Sequence, residues 1–188
     1  MQAGAQDPRA RLKALIQEKC VQHGDFLLAS GQRSTVFFDC KRATLDPEGV
    51  HLIGALVLAI IDDLARQDGR PIDAVGGPTI GADPVVGYIA GRSWERGRPL
   101  RAFLVRKESK DHGTRRVIEN DLPPGSRVVV FEDVVTTGGS TLDAIRRVEE
   151  AGLHVAGVVA VVDREQGGAA ALARYRYRPL FLKSEFGL

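Results

Sequence analysis

Several things are scarce in this chain of 188 residues, and each scarcity excludes something. It has two cysteines, Cys20 and Cys40, which form no CxxC pair and are too few to scaffold a chain of this length; a reducing cytoplasm fits them best. Neither sign of charge dominates: 26 Lys and Arg stand against 24 Asp and Glu, a net charge of +2. The overall balance therefore calls for no nucleic-acid or membrane partner, and any anion site must be local. No apolar run is long enough for a membrane span, since the longest, Val50 to Ile61, contains His51 and stops at Asp62-Asp63. The opening stretch MQAGAQDPRARLK lacks the apolar segment of a signal peptide. Aromatic residues make up only 6%, yet hydrophobic residues total 44%, enough for one substantial core in a single globular domain.

No internal repeat appears, and the chain reads as alternating strands and helices. Leu12, Leu15, Ile16 and Cys20 share a helical face that ends at His23-Gly24, and FLLASGQRSTVFFDC then suits a hairpin. Asp46-Pro47 supplies a cap and a first-turn proline for a helix carrying Val50, Ile53, Val57, Ile60 and Leu64. A strand from Ile72 to Val75 runs into Gly76-Gly77-Pro78, followed by a helix from Ala82 to Ala90 and a strand from Arg101 to Arg106. Residues 106–120 are polar, charged and aperiodic, which predicts a long loop. Strand Arg127–Phe131, helix Thr141–Glu150 and strand Val155–Val162 make a βαβ unit with a buried parallel sheet. The fold class is therefore α/β, with a doubly wound, mostly parallel sheet. Residues 1–45 form an N-terminal helix-hairpin hood, and residues 46–188 form the core.

The most informative stretch is VVVFEDVVTTGGSTLDAI, Val128 to Ile145, in which a buried strand ends in two acids and a turn opens a helix. Gly138 and Gly139 let backbone amides approach a ligand, Thr136, Thr137 and Ser140 offer hydroxyls, and the helix dipole favours an anion there. Glu132 and Asp133 are badly placed for an anion but well placed to accept hydrogen bonds from vicinal hydroxyls of a sugar. A ribose 5-phosphate satisfies both halves. A Gly-Gly turn alone would equally suit an ordinary α/β connection; the whole constellation points to a ligand.

The run FEDVVTTGGST strongly resembles the signature with which type I phosphoribosyltransferases bind phosphoribosyl pyrophosphate (PRPP). The resemblance implies that Glu132 and Asp133 hold the ribose hydroxyls and that Thr136, Thr137, Gly138, Gly139 and Ser140 cradle the 5-phosphate, with Val134 and Val135 completing the PRPP-binding stretch. Many relatives have Asp where this chain has Glu132.

Arg106, Lys107, Lys110 and His112 fall within seven residues of VRKESKDHGTRR, enough donors to gather round a pyrophosphate. Read alone, the run is a solvated charge cluster balanced by Glu108 and Asp111. RKESKDHG, however, closely resembles the catalytic loop of orotate phosphoribosyltransferases. That resemblance implies a pentosyltransferase of pyrimidine (UMP) biosynthesis, using Mg2+ carried mainly by PRPP, with Asp133 and the four loop cations as catalytic residues. It also implies a homodimer whose 106–120 loop reaches the neighbouring site. Arg164, in VVDREQGG, resembles the family arginine that contacts orotate, with Thr136 opposite and Phe37 and Phe38 nearby. Strand alternation sends only one of these two rings inward, and Arg164 could instead pair with Asp163 or Glu165.

Two family lysines are missing: Ala29 precedes the hairpin Ser-Gly, and Thr79-Ile80 replaces Tyr-Lys after the Gly-Pro turn. Arg33, Lys41, Arg42 or the backbone amides of residues 77–81 are the candidate substitutes. Asp83 suits a helix cap better than a water-mediated Mg2+ contact. A phosphoribosyltransferase for another base and a PRPP-sensing, nucleic-acid-binding regulator are the rival readings; the second lacks the basic helix it would need.

Overall fold

The computed structural model describes residues 7–27, 31, 33–106 and 117–188. Helix α1, Pro8–Lys19, starts where the Asp7 carboxylate accepts from the Arg9 N–H and Pro8 fills the first turn. Leu12, Leu15 and Ile16 are fully buried beneath it. Its end comes earlier than His23-Gly24, because strand β1, Val21–Leu27, already pairs antiparallel with β2, Arg33–Phe38, in the register Val21↔Phe38. Cross-strand pairing from a distant segment outweighs local helical periodicity there. The pairing is irregular between His23 and Phe26.

A short helix α2, Lys41–Thr44, leads into α3, Pro47–Asp68. Asp46 caps α3 by accepting from the Glu48 and Gly49 N–H groups, and Gly69, at φ 61°, ends it in the left-handed conformation. Its buried face runs through Ile53, Val57, Ile61 and Leu64, one position round from the expected Ile60, which is half-buried. Then come β3, Ala74–Pro78; α4, Asp83–Glu95; β4, Arg101–Val105; β5, Ile118–Glu119; β6, Arg127–Val135; α5, Gly139–Glu150; β7, His154–Asp163; α6, Gly168–Ala171; and β8, Tyr177–Leu182.

Among the described residues the main sheet has the order β5-β4-β3-β6-β7-β8, parallel except for the short edge strand β5. Its two faces explain the continuous apolar run of β6. Val129 and Phe131 join the core beneath α1, α3 and α4, whereas Val128 and Val130 pack toward α5 and the segment after β7. A strand covered on both faces needs no polar alternation.

Parallel pairing sets Pro78, Val105, Val135 and Asp163 at one end of the sheet, where ligands of such folds bind. The expected 106–120 loop is shorter than it reads in sequence, because Ile118 pairs with Val105 and the Arg106 N–H donates to Val117 O at 2.8 Å. Lys107, Lys110 and His112 lie outside the described residues, as does Ala29.

Candidate functional site

At the end of β6 the chain turns through Thr136 and Thr137, and Gly138 takes φ 85° as the residue before α5. That left-handed conformation is what requires glycine here. No side chain caps α5, so the amide protons of its first turn stay available to an external anion. They border a cavity of about 530 Å3 lined by Thr136 to Ser140, Val134, Pro78 and Arg106. The turn is braced from behind: Arg164 N–H donates to Val135 O at 2.8 Å and Gly168 N–H to Thr136 O at 3.1 Å.

The two acids differ in their surroundings. Glu132 is only 6% exposed, and its Oε2 accepts from Ser140 Oγ and Thr141 Oγ1, both at 3.3 Å. The Ser140 hydroxyl expected to face phosphate is thus turned toward Glu132. Burial, and then the neighbouring Asp133 charge, push the Glu132 carboxyl up to about 8, with the two hydroxyls opposing. Asp133 is also raised by burial, against the pull of the Val134 N–H, which donates to Oδ1 at 2.8 Å, and of Lys41. Gly81 closes over it: a Cβ at Gly81 would lie 2.7 Å from the Asp133 carboxylate. A side chain at position 81 would therefore displace the loop from the acid.

Directly after β7, Arg164 is 3% exposed, and its Nη2 donates to Ser34 Oγ at 3.0 Å and Val36 O at 2.8 Å. It pairs with neither Asp163 nor Glu165. Asp163 Oδ1 takes the Glu165 N–H at 2.7 Å, and the Glu165 carboxylate takes Ser184 N–H and Oγ. Phe38 is the ring sent inward, 3% exposed and edge-on to Phe186 at 5.4 Å, so it belongs to the core rather than to a base pocket. Phe37 faces the other way, half-buried against Phe26 at 5.4 Å.

Of the candidate cations, Arg106 lines the cavity, with its guanidinium 3.1 Å from Glu119. Arg33 pairs with Asp25, and Lys41 and Arg42 pair with Asp39 at 2.9 and 3.4 Å; Lys41 is raised mainly by Asp39 and also by the Asp133 charge. The cap expected of Asp83 is not formed: Ala82 holds the cap position, Asp83 is the first residue of α4, and its buried Oδ1 has no partner. Proline at position 84 draws Asp83 into the first turn, where its carboxyl is pushed up by burial. Ile80 is 69% exposed.

The Phosphoribosyl transferase domain family matches residues 47–176. Orotate phosphoribosyltransferase of Sorangium cellulosum is 44% identical over 174 residues, covering 92% of this chain and 88% of that protein. The Aquifex aeolicus enzyme of the same name is 46% identical over 163 residues, 85% of this chain and 86% of that one. The chain belongs to the orotate phosphoribosyltransferase family. The crystal structure of the Mycobacterium tuberculosis orotate phosphoribosyltransferase in complex with PRPP superposes with a TM-score of 0.77 at 36% identity, over 97% of this chain and all of that one. A crystal structure of adenine phosphoribosyltransferase, 16% identical with a TM-score of 0.70, shares the fold alone.

Reading the sequence of this orotate phosphoribosyltransferase family member missed Arg147. It lines the same cavity from α5 and donates through Nη1 to Arg106 O at 2.9 Å. Its place one helical turn after Asp143, which also borders the cavity, is the signal that was available.

The raised carboxyl of Glu132 gives a pH prediction. A group held protonated by the fold contributes stability that is complete below its unfolded value near 4.5 and is lost as pH rises through about 8. Glu132→Gln keeps an acceptor for Ser140 and Thr141 but does not titrate. Its Tm relative to wild type should therefore climb between pH 5 and pH 9. A difference that stays flat across that range would mean Glu132 is not protonated in the folded chain.

Proposed function

We propose that this chain transfers the ribosyl 5-phosphate of PRPP to orotate, forming orotidine 5-monophosphate and pyrophosphate in pyrimidine biosynthesis. The observation that carries the reading is the cavity in which the uncapped start of α5, Val134 and Arg106 meet at one end of the sheet, with Glu132 and Asp133 immediately before Val134 on β6. The 5-phosphate takes the amide protons of Thr136 to Ser140 and the hydroxyls of Thr136 and Thr137. The ribose hydroxyls donate to Asp133 and Glu132, which fixes the anomeric carbon relative to both leaving group and base.

Orotate attacks that carbon through its ring nitrogen as the bond to diphosphate breaks. The substrate is already an anion, so no protein nucleophile is needed. Negative charge grows on the departing diphosphate, so Arg106, with Lys107, Lys110 and His112, stabilises the transition state more than the ground state. Arg164 receives the orotate carboxylate, with Thr136 and Phe37 bordering the ring.

Mg2+ favours oxygen ligands and substrate phosphates. Among the described residues no group of three Asp, Glu, His or Cys side chains is arranged to hold an ion. The ion would be carried mainly by the diphosphate of PRPP. When bound, it would neutralise diphosphate charge.

Residues 1–45 serve as a hood over the base site, through the contact of Ser34 and Val36 with Arg164. Among the described residues no helix is long and apolar enough to cross a membrane, and both cysteines are free thiols, in keeping with a cytoplasmic place of work.

Adding PRPP and Mg2+ should abolish orotate absorbance and leave adenine, hypoxanthine and uracil untouched. Consumption of another base would overturn the orotate assignment, and PRPP binding without turnover would favour a sensor. We also propose a closed two-fold dimer in which each 106–120 loop serves the partner's site. Sedimentation equilibrium should give twice the chain mass of 20.3 kDa. A monomer retaining full activity would rule the shared loop out.

A further inference from the structure

Arg164 is fixed at both ends. Its backbone N–H is bonded to Val135, one residue before the phosphate turn, and its Nη2 is bonded to the hairpin strand β2. The hairpin end of this arrangement is unusually determined. Ser34 Oγ donates to Val36 O at 2.7 Å, accepts from the Val36 N–H at 3.2 Å, and accepts from Arg164 Nη2 at 3.0 Å. One proton and two lone pairs are all that a hydroxyl has, so this one is saturated and cannot rotate.

We infer that Ser34 is a positioning residue that aims the Arg164 guanidinium and thereby sets the preference for a base bearing a carboxylate. The inference rests on the reading of Arg164 as the orotate-facing cation. Ser34 Oγ and Val36 O take both protons of Nη2, which leaves Nε and Nη1 for a ligand. Nε is buried and has no partner. Among the described residues no carboxylate forms an ion pair with this guanidinium: the Glu165 carboxylate is bonded to Ser184, and Asp163 accepts the Glu165 N–H through Oδ1, while its buried Oδ2 has no hydrogen-bond partner and does not reach Arg164. A buried cation with unsatisfied donors is costly and calls for an anionic acceptor. A neutral ring lacking the carboxylate would leave that cost in place.

Removing the hydroxyl leaves Nη2 held by Val36 O alone, on a side chain with four rotatable bonds. Ser34→Ala should raise KM for orotate about tenfold while keeping kcat and KM for PRPP within about twofold. Ser34→Thr should restore the orotate KM. Ser34→Cys, which keeps the volume but weakens the acceptor, should behave like the alanine variant and serves if alanine disturbs the hairpin.

The decisive comparison is a double-mutant cycle. Ser34 acting through Arg164 means that Ser34→Ala adds nothing to the orotate KM of Arg164→Ala. Additive effects, equal losses for both substrates, or an unchanged orotate KM in both Ser34→Ala and Ser34→Cys would overturn the positioning role. An Arg164→Ala chain with unaltered orotate KM would instead remove Arg164 from the base pocket, and Ser34 with it.

Discussion

A strand buried on both faces must remain apolar until it leaves the core, and β6 obeys this until Phe131 and then presents Glu132 and Asp133 to the sheet end. The backbone that carries those carboxylates is held by pairing with β7, at Glu132↔Ala160 and again at Val134↔Val162, within surroundings whose burial raises both acids. Everything nearby accommodates this constraint. Ser140 and Thr141 turn their hydroxyls to Glu132, Val134 offers its N–H to Asp133, and Gly81 gives up a side chain so that the next loop can approach.

The same constraint sets two chemically different surfaces side by side, the acids at the end of β6 and the uncapped start of α5. Carboxylates repel phosphate but accept from hydroxyls, whereas the uncapped first turn of α5 attracts phosphate and offers nothing to a hydroxyl's proton. In the proposed reading, the two would together orient a sugar phosphate without a dedicated cation at the phosphate. That arrangement bears on the two missing lysines. Arg106 and Arg147 border the cavity, and Lys41 stands near Asp133, so positive charge is supplied from the loop stem, from α5 and from α2.

What the sequence made legible was mostly local. The strand, acids, turn and helix of residues 128–145 are contiguous, and the Asp46-Pro47 cap and Gly69 stop of α3 lie within the helix they delimit. What stayed hidden depended on partners far along the chain. The early start of β1 follows from pairing with Phe38, and the hold on Arg164 comes from Ser34, 130 residues earlier. Alternation in β2 showed that one ring of Phe37 and Phe38 must turn inward but not which. Packing against Phe186, near the end of the chain, decides it. Asp83 suits a cap by residue type, yet the helix begins on it, a difference of one residue that local chemistry does not resolve.

The central claim is that the end of β6 and the start of α5 together form a site for a ribose 5-phosphate, with Asp133 as the hydroxyl acceptor. Calorimetric titration of Asp133→Asn with PRPP and Mg2+, beside the unaltered chain, tests it most directly. The amide cannot replace a charged acceptor for two hydroxyls, so affinity should fall about tenfold or more while the thermal midpoint stays at or above the wild-type value. PRPP affinity equal to that of the unaltered chain would contradict the account.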